Sequence, residues 1–431
     1  MSAESTLYPR HLTVEVHEAL ASSRVVNLVG PRQAGKTTLV RSLLGEGRFV
    51  TLDDRSTLEA FDRDAGGQLA LLRRETGDAP LIIDEIQRLK SLALEIKLIV
   101  DADRRRGQFL LTGSSNVFTT LEATDSLAGR MSTLKLWPLS VAEIERRGPS
   151  FLLDWAAGDE LDLPASPAAP DWSRDRYIEL MVRGGYPEIR VLRDRTRARR
   201  YEDYIDAVVD RDVADVLRIR KGDALRRLID QLAARTSFEL NLSELSSVIG
   251  IQRPTLETYL DVLTRLSLVV RQPAWTASES RRDIRNAKYH FVDTGIATAL
   301  RGLSSDSFGS QADPTSLGAV LESWVFGELT RAAALQHNRF RLYHWRDRDG
   351  REVDIVAEGG GSLVAIEIKA AATVSARDFR HLDWFATRGP GKGRRVTGIV
   401  LYLGKEKLSF GKRTFALPVS VLSGSEGVSA F

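Results

Sequence analysis

From residue 24 onward, short β-branched runs alternate with longer stretches that repeat apolar residues at helical spacing. VVNLV (25–29), RFVTL (48–52), LIID (81–84), FLLTG (109–113) and TLKLWPL (133–139) each predict a strand. Strands that are apolar on both faces and separated by helices pair in parallel, so this part of the chain predicts an α/β fold with crossover helices. The pattern breaks at DELDLPASPAAPDWS (159–173), a proline-containing loop or linker, and resumes as about 45 residues of helical composition from 190. That stretch opens with Arg190, Arg193, Arg195, Arg197, Arg199 and Arg200, which fit a solvated helix face as well as a phosphate track. In 237–292, two helical segments are followed by two strand-like runs, LVVRQP and KYHFVD, in the order of a winged helix-turn-helix. The last ~115 residues predict a second α/β unit: helix 317–335, strands 340–345, 352–357 and 363–369, helix 376–387 and strand 396–403.

The candidate chemistry begins where the first strand ends. GPRQAGKT, Gly30 to Thr37, fits G-x-x-x-x-G-K-[ST] between an apolar strand and a helix, the context a phosphate-binding loop requires. Gly30 and Gly35 let the backbone curl past Pro31, so that amides across Arg32, Gln33, Ala34, Lys36, Thr37 and Thr38 surround phosphates. Lys36 adds a mobile charge, and the Thr37 hydroxyl is a magnesium ligand. LIIDE follows about 45 residues later. Asp84, at the end of a buried strand, suits the magnesium ion through water, and Glu85 suits activation of the attacking water. The next strand ends in Thr112, Ser114, Ser115 and Asn116, polar groups suited to the γ-phosphate or its water, or to capping a helix. Together these features predict ATP hydrolysis with Mg2+.

Composition narrows the setting. At 431 residues and 43% hydrophobic, the chain should hold two to four domains. With 61 Lys and Arg against 58 Asp and Glu, the net charge of +3 excludes a uniformly basic nucleic-acid coat, so any polyanion site is local. The absence of cysteine excludes disulfides, zinc knuckles, iron-sulfur clusters and thiol catalysis. No apolar run reaches the ~18 residues of a membrane span and the first residues lack the core of a secretory signal, so the expectation is a soluble, cytoplasmic protein with no membrane partner.

In the winged-helix segment, Leu242, Leu245 and Val248 share one face. After the turn at Gly250, Leu256, Leu260, Leu263 and Leu266 follow helical spacing. If the second helix enters a major groove, Arg253, Thr255, Glu257 and Thr258 are its leading side chains, and Arg281, Arg282, Arg285 and Lys288 of the following stretch offer charge to phosphates. The same module also serves as a dimerisation or lid element without DNA. In the last unit, period-2 alternation puts Leu363, Ala365, Glu367 and Lys369 on one face of a strand, next to the run carrying Asp354.

GPRQAGKTTLV, LDDRS, LIIDEIQRL, LLTGSSN, LAGRMSTLKLWPLS, RGGYPE, YIDAVVDRDV and KYHFVDTG, in that order, resemble the AAA+ superfamily. The resemblance is to the bacterial and archaeal family of ATPases with a C-terminal domain of unknown function. It implies an AAA+ nucleotide domain over 1–147, a helical lid and connector over 148–220 containing Arg183, Gly184, Gly185, Tyr186 and Pro187, a winged-helix domain over 221–300 and a last domain over 301–431. Arg211 and Asp212 match the family pattern without an assigned role. Arg130, at the end of a predicted helix, stands where ring ATPases of this kind carry an arginine that reaches a neighbouring subunit's γ-phosphate. The helix dipole alone also favours it there. The sequence departs from the family at Arg88-Leu89-Lys90, where a proline is usual, and at Asn286-Ala287, where Ser-Pro is typical. The last domain resembles the PD-(D/E)xK nuclease superfamily, which implies a restriction-endonuclease-like fold with Glu322, Asp354 and Glu367 as metal ligands and Lys369 as catalytic lysine.

These readings lead to an ATP-hydrolysing protein that binds DNA and remodels or translocates it in repair or recombination, branched DNA included, as a homo-oligomeric ring such as a hexamer. Two alternatives stand beside it: a nucleotide-dependent regulatory switch that binds a protein partner, and an ATP-gated, magnesium-dependent nuclease.

Overall fold

The computed structural model describes residues 7–43, 47–89, 91–114, 127–213, 222–278, 286–309 and 313–425. It divides into two compact units, one formed by Arg10–Pro138 with Arg265–Ser267, the other by the rest of the chain. Among the described residues no helix is long and apolar enough to cross a membrane.

The first unit is built on five parallel strands, β1 (Val25–Gly30), β2 (Arg48–Thr51), β3 (Leu81–Asp84), β4 (Phe109–Ser114) and β5 (Met131–Lys135), in the order β2-β3-β4-β1-β5. The apolar runs are continuous because both faces are covered. Val26, Leu28, Ile82 and Leu110 pack with Val16 of the helix Thr13–Ser22 and Leu39 of the helix Lys36–Ser42. Their alternates Val25, Leu81, Ile83, Phe109 and Leu111 pack on the other face with Leu69 and Ile96 of the helices Ala65–Thr76 and Leu92–Ala102. The strand expected at 133–139 is shifted: it starts at Met131 and ends at Lys135. Pro138 has no amide to give to a ladder, so the run cannot continue as a strand. Leu136 instead closes it by donating its amide to the Val29 carbonyl at 2.8 Å.

In the second unit the helix Leu242–Ile249, capped by Asn241, turns at left-handed Gly250 into the helix Arg253–Arg265. The antiparallel pair β6 (Val269–Gln272) and β7 (Lys288–Phe291) follows. The last part is a mixed six-stranded sheet of β8 (Arg341–Arg346), β9 (Glu352–Gly359), β10 (Ser362–Lys369), β11 (Val396–Tyr402), β12 (Leu408–Gly411) and β13 (Thr414–Pro418), in the order β12-β13-β11-β10-β9-β8. β10 runs antiparallel to β9 and parallel to β11. The expected elements are present there, and β12 and β13 extend the sheet beyond them.

One face of this sheet and the helix Pro314–Ala333 share a core with the helices near the start of the unit. Leu152, Leu153, Tyr177, Leu180 and Met181 pack with Leu321, Val325, Ile366, Leu401 and Leu417. The opposite face, through Val356, Leu363, Ala365 and Val400, packs on Trp275, Phe379 and Phe385.

Two sequence segments far apart in the chain meet inside this unit. Asp293, buried and at the amino cap of the helix Thr294–Leu300, accepts the amides of Gly295 (2.8 Å) and Gly185. Gly185 has no room for a side chain, since a Cβ there would stand 2.3 Å from the Leu139 carbonyl oxygen. The RGGYPE and KYHFVDTG segments are thus two halves of one buried hydrogen-bonded joint.

Candidate nucleotide site

The loop after β1 is shaped by two glycines with different tasks. At Gly30 the chain passes so close to residue 136 that a Cβ would lie 2.1 Å from the Leu136 carbonyl oxygen. Gly35 adopts φ 95°, a left-handed conformation that starts the helix Lys36–Ser42 and turns its first amides toward the loop. Lys36 is buried and its Nζ donates to the carbonyls of Gly30 and Pro31, both at 2.9 Å, so the charge is held over the loop's own backbone.

Thr37 and Asp84 are brought together from separate elements: the Thr37 Oγ1 donates to the Asp84 carboxylate at 3.1 Å. Thr112 of β4, fully buried, donates to the other Asp84 oxygen. Because β3 and β4 are neighbours in the sheet, Thr112 orients Asp84, a different partner from the γ-phosphate or water that the sequence suggested for it. A hydroxyl and a carboxylate side by side are hard oxygen donors of the kind magnesium takes, so Thr37 and Asp84 are the residues that would hold it.

Glu85 directly follows β3 in a left-handed conformation, φ 58° and ψ 43°, unusual for a residue with a side chain. Burial raises its pKa above the usual carboxylate range; Lys36 opposes this, and Asp84 and Asp53 reinforce it. The Gln87 amide donates to it and fixes its direction. A carboxylate held rigidly with a raised pKa has the properties of a general base.

Sequence reasoning missed Arg10. Its two guanidinium nitrogens donate to the carbonyls of Ala34 (2.7 Å) and Trp137 (2.6 Å), tying the loop's crest to the segment after β5. No motif marks it, because its role is set by tertiary contact alone.

Arg130 is not brought to this loop. It immediately precedes β5, its carbonyl accepts the Val25 amide, and its guanidinium pairs with Asp101 (Nη2 to Oδ2, 3.1 Å), drawing the Asp101 pKa down. Since parallel β1 carries Gly30 at its far end, Arg130 lies about one strand length, roughly 20 Å, from the loop. Ser114 ends β4, while Ser115 and Asn116 lie outside the described residues.

Of the residues expected to meet DNA, Arg253 is exposed and paired with Glu257 at 2.9 Å, Thr255 is half-buried, and the exposed Thr258 donates to the Pro254 carbonyl. Arg281, Arg282 and Arg285 lie outside the described residues. Lys288 departs from its expected surface place. It is 7% exposed, with Nζ 2.7 Å from Glu322 Oε1, because β7 turns this position inward.

The four nuclease-like residues are close in the fold but individually engaged. Glu322 takes Lys288, Asp354 accepts the Ile368 amide at 2.8 Å, and Lys369 Nζ lies 2.7 Å from Glu367 Oε1. Among the described residues no group of three His, Asp or Glu side chains is placed to hold a metal ion.

Burial raises the pKa of Glu322 and Glu367 to about 8, despite Lys288 and Lys369, and that of Glu328 to about 7, despite Arg331. A carboxyl with a raised folded pKa favours the native state fully below its unfolded value and loses that contribution as pH climbs through the folded one. The protein should therefore lose stability between about pH 4.5 and 8 through these groups. Urea midpoints measured across that range are expected to decline less steeply in Glu367→Gln than in the wild type; parallel curves would contradict the assignment.

Residues 22–145 match the family described as AAA domain, 174–307 a domain of unknown function (DUF8612), and 317–422 another (DUF4143). An uncharacterized protein of Mycobacterium tuberculosis is 32% identical over 369 residues, which cover 85% of this chain and 75% of that one. A Mycobacterium bovis protein matches equally. The chain belongs to their family. This chain joins a match to an AAA domain to two matches to domains of unknown function, and the phosphate loop, Asp84 and Glu85 all fall within the AAA match. Among solved structures, the Walker-type ATPase of Pyrococcus abyssi covers 69% of this chain and 97% of its own, at 19% identity and a TM-score of 0.42.

Proposed function

We propose that this protein hydrolyses ATP. The observation that carries the reading is the meeting of Thr37 with Asp84 beside the loop of Gly30 to Thr37, with Glu85 next in sequence and raised in pKa. Magnesium, when bound with nucleotide, supplies charge stabilisation to the γ-phosphate. Lys36 would exchange its carbonyl partners for phosphate oxygens, Thr37 and Asp84 would hold the ion, and Glu85 would take a proton from the attacking water.

The arrangement after residue 240, two helices joined at Gly250 and followed by the β6–β7 pair, supports a winged helix, and exposed Arg253 and Thr258 at its second helix support DNA as a partner. The mixed sheet carrying Asp354, Glu367 and Lys369 on neighbouring strands supports a nuclease-like fold for the last part of the chain. Arg130, far from its own loop, supports a homo-oligomer in which it serves a neighbouring subunit. DNA remodelling in repair or recombination is the setting these features suit.

The test is steady-state ATP hydrolysis with no DNA and with duplex, single-stranded and four-way-junction DNA. Stimulation severalfold by one form is the expected result and would name the substrate. Equal, slow turnover in all four would instead favour a nucleotide switch with a protein partner.

A further inference from the structure

The nuclease-like reading of the last domain implies a divalent metal between Glu322, Asp354 and Glu367, and the donor set here does not fit one. We infer that the Lys288 ammonium is this cluster's resident cation, and that it keeps the wild-type site free of divalent metal while clamping β7 to the helix Pro314–Ala333.

The geometry carries the argument. Lys288 reaches the cluster from β7, outside the β8–β13 sheet and outside the helix that bears Glu322, yet its Nζ is 2.7 Å from Glu322 Oε1. Its side chain is 8% exposed and that of Glu322 is 15% exposed, so water does little to screen the pair. At that distance the Lys288 ammonium and the Glu322 carboxylate form a buried ion pair, charge facing charge. Asp354 has one oxygen committed to the Ile368 amide, and Glu367 has one committed to Lys369. Within the cluster Glu367 Oε2 is the fully buried oxygen without a partner, and among the described residues the three carboxylates are not placed to hold a divalent ion together.

Charge matching points the same way. Above about pH 8, with the carboxyls ionised, three carboxylates face two ammoniums, and the nearby Glu352 is within 3.7 Å of Arg346. Adding a dication would leave net positive charge in a poorly hydrated place. Removing Lys288 leaves two formal negative charges in excess, the charge that one Mg2+ or Mn2+ neutralises. Lys288 is therefore a positioning residue, and metal-dependent cleavage of DNA is not expected from the wild-type cluster.

The inference rests on the nuclease-like reading only for its expectation of a metal, and the experiment separates the two. Mn2+ binding to nucleotide-free full-length protein is followed by electron paramagnetic resonance in wild type, Asp354→Asn, Lys288→Met, Lys288→Gln and Lys288→Met/Asp354→Asn. Circular dichroism checks that each variant is folded. Any Mn2+ held at Thr37 and Asp84 is common to all arms, so differences report on the cluster.

Wild type and Asp354→Asn are expected to bind alike. The Lys288 variants should gain a site at least tenfold tighter than any in wild type, lost again in the double variant. Wild-type binding that Asp354→Asn removes would overturn the inference and leave the nuclease reading stronger. Folded Lys288 variants that gain no site would overturn it too, because something other than the ammonium would then exclude the metal. If neither Lys288 variant folds, the comparison of wild type with Asp354→Asn decides alone.

Discussion

Glu85→Gln is expected to lower the turnover of ATP by about 100-fold or more while leaving nucleotide affinity within a few-fold of wild type. The two effects separate because Glu85 belongs to the water side of the site. The phosphate side is made by the loop, by Lys36 over the carbonyls of Gly30 and Pro31, and by the Thr37–Asp84 pair, while Glu85 is directed by the Gln87 amide. A general base contributes about 10²- to 10⁴-fold, and an amide of the same shape cannot accept the proton. Steady-state hydrolysis beside titration with a fluorescent ATP analogue reads both quantities, and unchanged turnover would remove Glu85 from the mechanism. The left-handed backbone adds a second signature. Glycine adopts φ 58° without the crowding of a Cβ, so Glu85→Gly should be inactive yet more stable, by about 1 kcal/mol, than Glu85→Gln.

The largest effect on folding is expected at Asp293. Asp293→Ala removes the acceptor of two buried amides, Gly185 and Gly295, in a place where water has little access. Each buried donor left without a partner costs about 1–3 kcal/mol, so a loss of about 3 kcal/mol or more is expected in urea unfolding. Asp293→Asn keeps one side-chain oxygen and should lose about half as much. The Tyr201 hydroxyl, which donates to the Arg183 carbonyl at 2.9 Å, keeps that partner in both variants. A midpoint for Asp293→Ala equal to wild type would mean that the two amides find other acceptors.

The phosphate loop and the Asp84–Glu85 pair are legible in sequence because polyphosphate chemistry fixes contiguous residues at short spacing. Strands β1, β3 and β4 are legible because a sheet covered on both faces makes their runs mostly apolar, and edge strand β2 by its short β-type run. What the sequence hides is what tertiary contact decides. Arg10 acts on the site from a neighbouring segment, and nothing local distinguishes it from an ordinary arginine; Thr112 is visible in the sequence as a site residue, but its partner Asp84 is not. Lys288 reads as a surface charge beside Arg281, Arg282 and Arg285. Its actual partner, Glu322, is 34 residues away, and only the inward turn of β7 reveals the pair. The run TLKLWPL looks uniform until the missing amide of Pro138 is taken into account. β12 escapes notice because Leu408 to Gly411 is an exposed edge whose residues face water rather than a core, and β13 because it is a buried run of only five residues ending in a proline.

The shared core of the second unit matters for anyone who cuts this chain. Leu152, Tyr177, Leu180 and Met181 lie before the helix pair, yet the surfaces that cover them, Leu321, Val325, Leu401 and Leu417, come from the far end. A fragment ending near residue 300 would keep the nucleotide unit whole but strip these helices of their apolar cover, and it should aggregate on expression. A fragment ending at Pro138 avoids that exposure. Inherited truncations late in the gene would, by the same logic, act first as solubility defects and only afterwards as losses of whatever the final domain does.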